Sequence, residues 1–262
     1  MTQRVSGLRG LLRYGPLLKN LIRRELKKKY RASLLGYAWC VLNPLLIMLI
    51  MTVVFSQMFH NSIENYPVYL FVGRLFFTFV TGGVANVLRT IVNNGALMRK
   101  TRIPYVIFPL AGFFSVTVDF LFQLAAFAIV LAVTRTPISL HILAFPLVLL
   151  QAMLFTFGLG LLLAVAYTFA RDVSQLWSVF CSAWMYLSAL FYPLSSLPEF
   201  LQWLIKDWNP LYWLIGQGRQ IFLEHVWPDP VWMLKGFLFG GAVTLLAMLA
   251  YRRAQDDLIL YV

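Results

Sequence analysis

Apolar residues run through this chain in long blocks, and polar residues gather in the gaps between them. From Leu35 to Phe59 the sequence is nearly all apolar, with Pro44 as the one break. Blocks of the same kind follow at 67–91, 105–133, 141–170, 174–194 and 229–251. A span needs about 20 apolar residues to cross about 30 Å of hydrocarbon. The pattern therefore predicts an all-α integral membrane fold with six transmembrane helices. The blocks at 105–133 and 141–170 are long, and Pro109 and Pro146 are where they would tilt or break.

Two stretches depart from this pattern. In residues 14–33, Leu18, Leu21, Ile22, Leu26 and Tyr30 recur at i, i+3, i+4 spacing, while Lys19, Arg23 and Lys27 form a second stripe with Arg24 and Lys28 beside it. This predicts a basic amphipathic helix in the membrane interface, with Pro16 in its first turn. Each cation near anionic headgroups contributes about 1 kcal/mol. Such a helix serves as an anchor, or as an anchor that also meets a cytoplasmic partner. Residues 195–227 are punctuated by Pro198 and Pro210 and carry Trp203, Trp208, Tyr212, Trp213 and Trp227. Trp and Tyr settle at headgroup level. The segment is expected to form short interfacial or re-entrant helices on the outer face, tolerated at depth only against protein or a water-filled cavity. Gly236 and Gly240 make a GxxxG pair in the last block, a signal for close helix packing.

Composition strengthens the membrane assignment. Of 262 residues, 60% are hydrophobic and 12% charged, and the mean hydropathy is +0.75. A soluble domain carries roughly 25% charged residues. One membrane domain over 1–262 is expected, with no cleavable leader. The net charge is +12, which in a soluble protein would suggest nucleic acid. Here Lys and Arg sort by side of the membrane. They crowd the segment before residue 32, the 89–102 turn, Arg171 and Arg252-Arg253, leaving Arg74, Arg135, Lys206, Arg219 and Lys235 elsewhere. Both termini are thus expected to be cytoplasmic, and no nucleic-acid partner is implied.

Candidate chemistry is sparse. No GxxxxGK[ST] loop, HExxH or paired-cysteine motif occurs, so neither nucleotide nor metal binding is expected. Cys40 and Cys181 read as small buried hydrophobes. His60, His141 and His225 fall near expected outer boundaries and read as interface residues. Asp119 lies mid-span, where a carboxylate costs at least about 2.5 kcal/mol. It should pair with a cation such as Arg74 of the neighbouring span, take up a proton, or line a path. Aromatics are abundant, with 22 Phe, 12 Tyr and 8 Trp. Tyr37 and Trp39 open the first span. Trp177, Phe180, Trp184, Tyr186, Phe191 and Tyr192 run along the fifth, four of them near one face. An aromatic face stacks on the C–H face of a sugar and tolerates sliding; plain packing and lipid contact are the alternatives.

An ordered set of short motifs adds a resemblance. Arg24-Glu25-Leu26-Lys27 with Tyr30-Arg31, Ser33 and Leu35-Gly36-Tyr37-Ala38-Trp39 leads into Leu42-Asn43-Pro44-Leu45 and Val54-Phe55-Ser56. Lys100-Thr101-Arg102-Ile103-Pro104, Phe108-Pro109-Leu110, Phe169-Ala170-Arg171-Asp172-Val173, Phe191-Tyr192-Pro193 and Trp208-Asn209-Pro210-Leu211 follow. In this order they resemble the membrane subunit of an ABC-type polysaccharide or polyol-phosphate exporter, the family of O-antigen, capsule and teichoic-acid permeases.

The resemblance implies a homodimer in the bacterial inner membrane, each copy bound to a separate ATPase subunit that holds ATP and Mg, with no cofactor on this chain. It implies a substrate path along the first and fifth spans, at Tyr37, Trp39, Phe55, Phe59, Trp177, Phe180, Trp184, Tyr186, Phe191 and Tyr192. A lipid-linked glycan would enter near the N-terminal helix, with Arg23, Arg24 and Lys28 facing its pyrophosphate. Asn94, Leu97, Met98, Arg99 and Lys100 would meet the ATPase, and 195–227 would gate the exit. An ABC-type permease for lipid or drug, a membrane-embedded glycosyl- or acyltransferase, and an ion-coupled transporter resting on Asp119 are the competing expectations.

Overall fold

The computed structural model describes residues 14–30, 35–59, 63, 65–100, 103–255 and 257–261. The regular structure among them is helical. α1 (Gly15–Tyr30) precedes a 3₁₀ turn, Gly36–Ala38, that opens α2 (Trp39–Phe59). α3 (Tyr66–Asn93), the short α4 (Gly95–Lys100) and α5 (Ile107–Val133) follow. A 3₁₀ turn at Leu140–Ala144 leads into α6 (Phe145–Phe169), then α7 (Val173–Tyr186), α8 (Glu199–Trp208), α9 (Pro210–Arg219), α10 (Pro230–Ala254) and α11 (Leu258–Tyr261).

Among the described residues five helices are long and apolar enough to cross a membrane: Gly36–Phe55, Tyr66–Asn93, Ile107–Val133, Leu140–Phe169 and Pro230–Ala254. The expected fifth span at 174–194 departs from the sequence reading. Only α7 is helical there, 14 residues long, or about 21 Å at 1.5 Å per residue. The reason is local. Ala189 takes a left-handed conformation at φ 46°, and Pro193 has no N–H to continue a helix and disfavours helical backbone at Tyr192. Pro109 and Pro146, by contrast, fall in the first turns of α5 and α6, where a missing N–H is harmless. Pro44 sits inside α2, which continues through it.

α3 is the centre of the fold. Phe71, Phe76, Phe79, Val80, Val84 and Val87 are buried along it. Phe79 meets Phe120 of α5 with centroids 4.7 Å apart, and Phe71 meets Phe127 at 5.2 Å. α6 packs on α3 and, most extensively, on α10. The expected GxxxG contact is formed there: a Cβ on Gly240 would lie 3.3 Å from the Phe155 backbone nitrogen, and Gly236 sits against Gln151.

α1 forms over the expected helix, while 31–33 and the arm before residue 14 lie outside the described residues. Its apolar stripe, Leu17, Leu18, Leu21 and Ile22, is covered by protein: Met98, Tyr105, Ile107, Phe108, Ala111 and Leu258. Farther along, Lys29 reaches Asp119, so α1 runs alongside α5. The Arg171 guanidinium donates to the Tyr261 carbonyl at 2.9 Å. The α6–α7 turn, α1, α4 and the end of α10 therefore share one side of the molecule.

Candidate functional site

The cationic face of α1 lines an open cavity of about 720 Å³ with Asn20, Arg23, Arg24, Lys27, Lys28, Gly36 and Tyr37. Gly36 adopts φ +49°, a left-handed conformation that glycine takes without a Cβ penalty. The turn sets Tyr37 beside the cations, its ring stacked on Phe122 of α5 at 6.2 Å. Glu25 is shared by Arg24 and Lys28 at 3.0 and 3.1 Å. Arg23 and Lys27 have no carboxylate partner among the described residues. Four cations against one nearby carboxylate make an anion-attracting cavity.

Arg24 also donates to the Asn94 side-chain carbonyl, and Asn94 donates to Thr90 O at 2.7 Å. Among the expected coupling residues, Asn94 and Met98 are buried, Leu97 is half-buried, and Arg99 and Lys100 are exposed. The outward face of α4 is thus basic, and Asn94 ties it to α1.

A second cavity, about 330 Å³, lies between α1, α2, α3 and α5 and is lined by Lys29, Trp39, Asn43, Arg74, Asp119 and Gln123 among others. The expected pairing of Asp119 with Arg74 is not the one found. Lys29 takes the carboxylate at 2.8 Å, because α1 runs along α5 and delivers its C-terminal lysine there. Arg74 faces the same cavity and makes neither an ion pair nor a hydrogen bond among the described residues.

The expected aromatic row divides. Trp177 and Trp184 are buried, with indole N–H groups donating to Thr81 O at 3.3 Å and to Asn209 Oδ1 at 2.9 Å. Phe191 is buried and stacks on the half-buried Phe55 at 5.4 Å. Tyr192 is half-buried and donates to the Tyr186 carbonyl. Tyr37, Trp39, Phe180 and Tyr186 are exposed. Phe59 closes α2, and its side chain lies outside the described residues, as does His60.

Sequence reasoning missed the device at the end of α7. The backbone of 187–192 is non-helical, and side chains bond the carbonyls of Leu187, Ala189, Leu190, Phe191 and Tyr192. Asn209 Nδ2 donates to Leu187 O at 2.7 Å. The Tyr69 hydroxyl is 3.2 Å from Ala189 O and 2.8 Å from Tyr192 O. Tyr66 donates to Phe191 O at 2.9 Å. Arg219 donates to Ala189 O and Leu190 O at 3.1 and 3.2 Å, and its guanidinium lies 3.4 Å from the Tyr69 ring centroid. The available signal was a lone arginine next to Gly218, where a Cβ would meet Phe76 at 2.6 Å and Val72 at 2.8 Å.

The family profile of the ABC-2 type transporters matches residues 16–223. The chain belongs to that family. It is a multi-pass membrane protein and a transport subunit. It is 31% identical over 224 residues to the O-antigen export system permease protein RfbA of Myxococcus xanthus, covering 85% of this chain and 86% of the relative. A Klebsiella pneumoniae protein of the same name is 28% identical over 79% of this chain and 80% of its own length. The polysialic acid transport protein KpsM of Escherichia coli is 21% identical over 92% of this chain and 93% of its own.

Proposed function

We propose that this chain is the permease subunit of an ATP-driven exporter that moves a lipid-linked polysaccharide across the bacterial inner membrane. The names of the relatives point to polysaccharide cargo. The observation that carries the reading is the cationic cavity of α1, set at Tyr37 where the first membrane helix begins. Arg23, Arg24 and Lys28, with Lys27, meet a lipid diphosphate there by charge and, for the arginines, by their forked donors. Two copies pair so that the exposed aromatics Tyr37, Trp39, Phe180 and Tyr186 line the glycan's way. The inward-facing Trp177, Trp184 and Phe191 hold that wall in place.

Six crossings complete the topology. α10 begins on the side opposite the α6–α7 turn, so the segment from Val173 to Asp229 must carry the chain across. α7 and the side-chain-stapled 187–193 segment make that crossing. Non-helical backbone is tolerated at membrane depth when its polar groups are satisfied by protein. By the positive-inside rule the side with α1, α4 and α11 is cytoplasmic. ATP and Mg bind a separate ATPase subunit, which docks on α1 and on Leu97, Arg99 and Lys100.

The test uses the chain reconstituted with its ATPase subunit, following ATP turnover as lipid-linked glycan is added. Turnover should rise with glycan, and Arg23→Gln should need roughly tenfold more glycan for half-stimulation, the loss of one charge-assisted contact. Turnover indifferent to glycan, or transport without any ATPase, would sink the reading.

A further inference from the structure

The cavity between α1, α2, α3 and α5 shares no lining residue with the α1 cavity and meets the proposed glycan path only at Trp39. Arg74 stands on a helix whose neighbouring residues Gly73, Leu75 and Phe76 are buried core. Its guanidinium opens into the cavity with no hydrogen bond or carboxylate partner among the described residues. A cation within a membrane-spanning segment is costly unless something pairs with it. The cavity also holds the donors an anion needs. Asn43, Thr78 and Gln123 line it, and Lys29 reaches in from the rim, where it also touches Asp119 at 2.8 Å. Among the described lining residues Lys29 and Arg74 stand against Asp119, a charge of +1. The remaining walls, Ile47, Phe71 and Leu75, are apolar, and Trp39 stands at the mouth. On the same helix Leu42, Leu46 and Leu49 are exposed, so acyl chains can lie against α2 while a headgroup enters beside it.

We propose that this cavity binds the phosphate headgroup of an anionic membrane lipid, with Arg74 holding two phosphate oxygens and Lys29 supplying the second cation. Arg74 suits the role because its planar fork matches phosphate bidentately. Lys29 suits it because a flexible stem lets one ammonium serve Asp119 and the phosphate by turns. An occupied site joins α1 to α2, α3 and α5 and so ties the segment that docks the ATPase to the membrane core. This does not depend on the nature of the cargo.

Cys40 lines the cavity and gives the test its probe. The full chain carrying Cys181→Ala is treated in detergent with a small maleimide, and Cys40 alkylation is timed. Dihexanoyl phosphatidic acid should slow alkylation at least fivefold. Dihexanoylglycerol, which lacks the phosphate, and dihexanoyl phosphatidylcholine, whose choline cation offsets the phosphate charge, should have little effect. Arg74→Gln should raise the half-protecting concentration at least tenfold, and Arg74→Lys should fall between. Inorganic phosphate protecting as well as phosphatidic acid would overturn the lipid assignment and leave a free-anion site. Equal protection by phosphatidic acid and dihexanoylglycerol would overturn the phosphate assignment. A Cys40 that no maleimide reaches, or that reacts at one rate throughout, would contradict the site itself. Should Arg74→Gln fail to fold, the protection pattern of the Cys181→Ala chain decides alone.

Discussion

Arg74 and Arg219 lie almost back to back, yet their surroundings are opposite. A Cβ on Gly73 would be 3.2 Å from the Arg219 guanidinium, so Arg219 lies against α3 one residue before Arg74. Arg219 is enclosed, gives two hydrogen bonds to the broken end of α7 and stacks on Tyr69. Arg74 opens instead into a cavity with mixed polar and apolar walls, where the Asp119 carboxylate is taken by Lys29. An arginine among membrane helices is satisfied either by the chain's own irregular backbone or by something from outside. The partner set tells which: the first kind holds the fold together, and the second is available for binding.

Substitutions break or sharpen this contrast, here from the largest effect to the smallest. Arg219→Met removes the donor to Ala189 O and Leu190 O and the stacking on Tyr69; Tyr69 still reaches Ala189 O, so Leu190 O is the buried acceptor left orphaned, at about 1–3 kcal/mol. Thermal unfolding in detergent should show a loss of about 3 kcal/mol, with Arg219→Lys recovering only part because the fork is lost. Asn209→Ala comes next. It deletes the cap on the start of α9, where Leu211 N lies 3.0 Å from Asn209 Oδ1, as well as the links to Trp184 and Leu187 O. About 2 kcal/mol should be lost. Tyr69→Phe removes one hydroxyl from Ala189 O and Tyr192 O while keeping the ring under Arg219, and should cost about 1 kcal/mol. Arg74→Gln should change stability by less than about 1 kcal/mol, because it deletes a desolvated cation that none of the described residues pairs. A large loss on Arg74→Gln would erase the contrast.

The spans at α2, α3, α5, α6 and α10 were legible because each is a long apolar run, and hydropathy reads runs directly. α1 was legible from its two stripes. Its place alongside α5 was not, since periodicity says which face is apolar and not what covers it. That is why Lys29 was overlooked as the partner of Asp119. The length of α7 was not legible: the segment to 194 is apolar enough to span, but Pro193 and the turn at Ala189 end the helix early. The backbone they expose is satisfied by Tyr66 and Tyr69, more than a hundred positions away in sequence. The helical spacing of Trp177, Phe180 and Trp184 correctly grouped them, and their rings do meet. Spacing could not say that the two tryptophans point inward and bind Thr81 and Asn209. Arg219 was counted only among the cations away from the basic clusters, because sequence gives no sign of which distant backbone a buried charge meets.

The measurement that tests the contrast most directly is thermal unfolding of Arg219→Met and Arg74→Gln in parallel, each with and without dihexanoyl phosphatidic acid. The account predicts that Arg219→Met unfolds several degrees below the unsubstituted chain and is still stabilised by the lipid. It predicts that Arg74→Gln unfolds close to the unsubstituted chain and gains nothing from the lipid. Two variants that fall together, or an Arg74→Gln chain that the lipid stabilises as fully as the unsubstituted one, would contradict it.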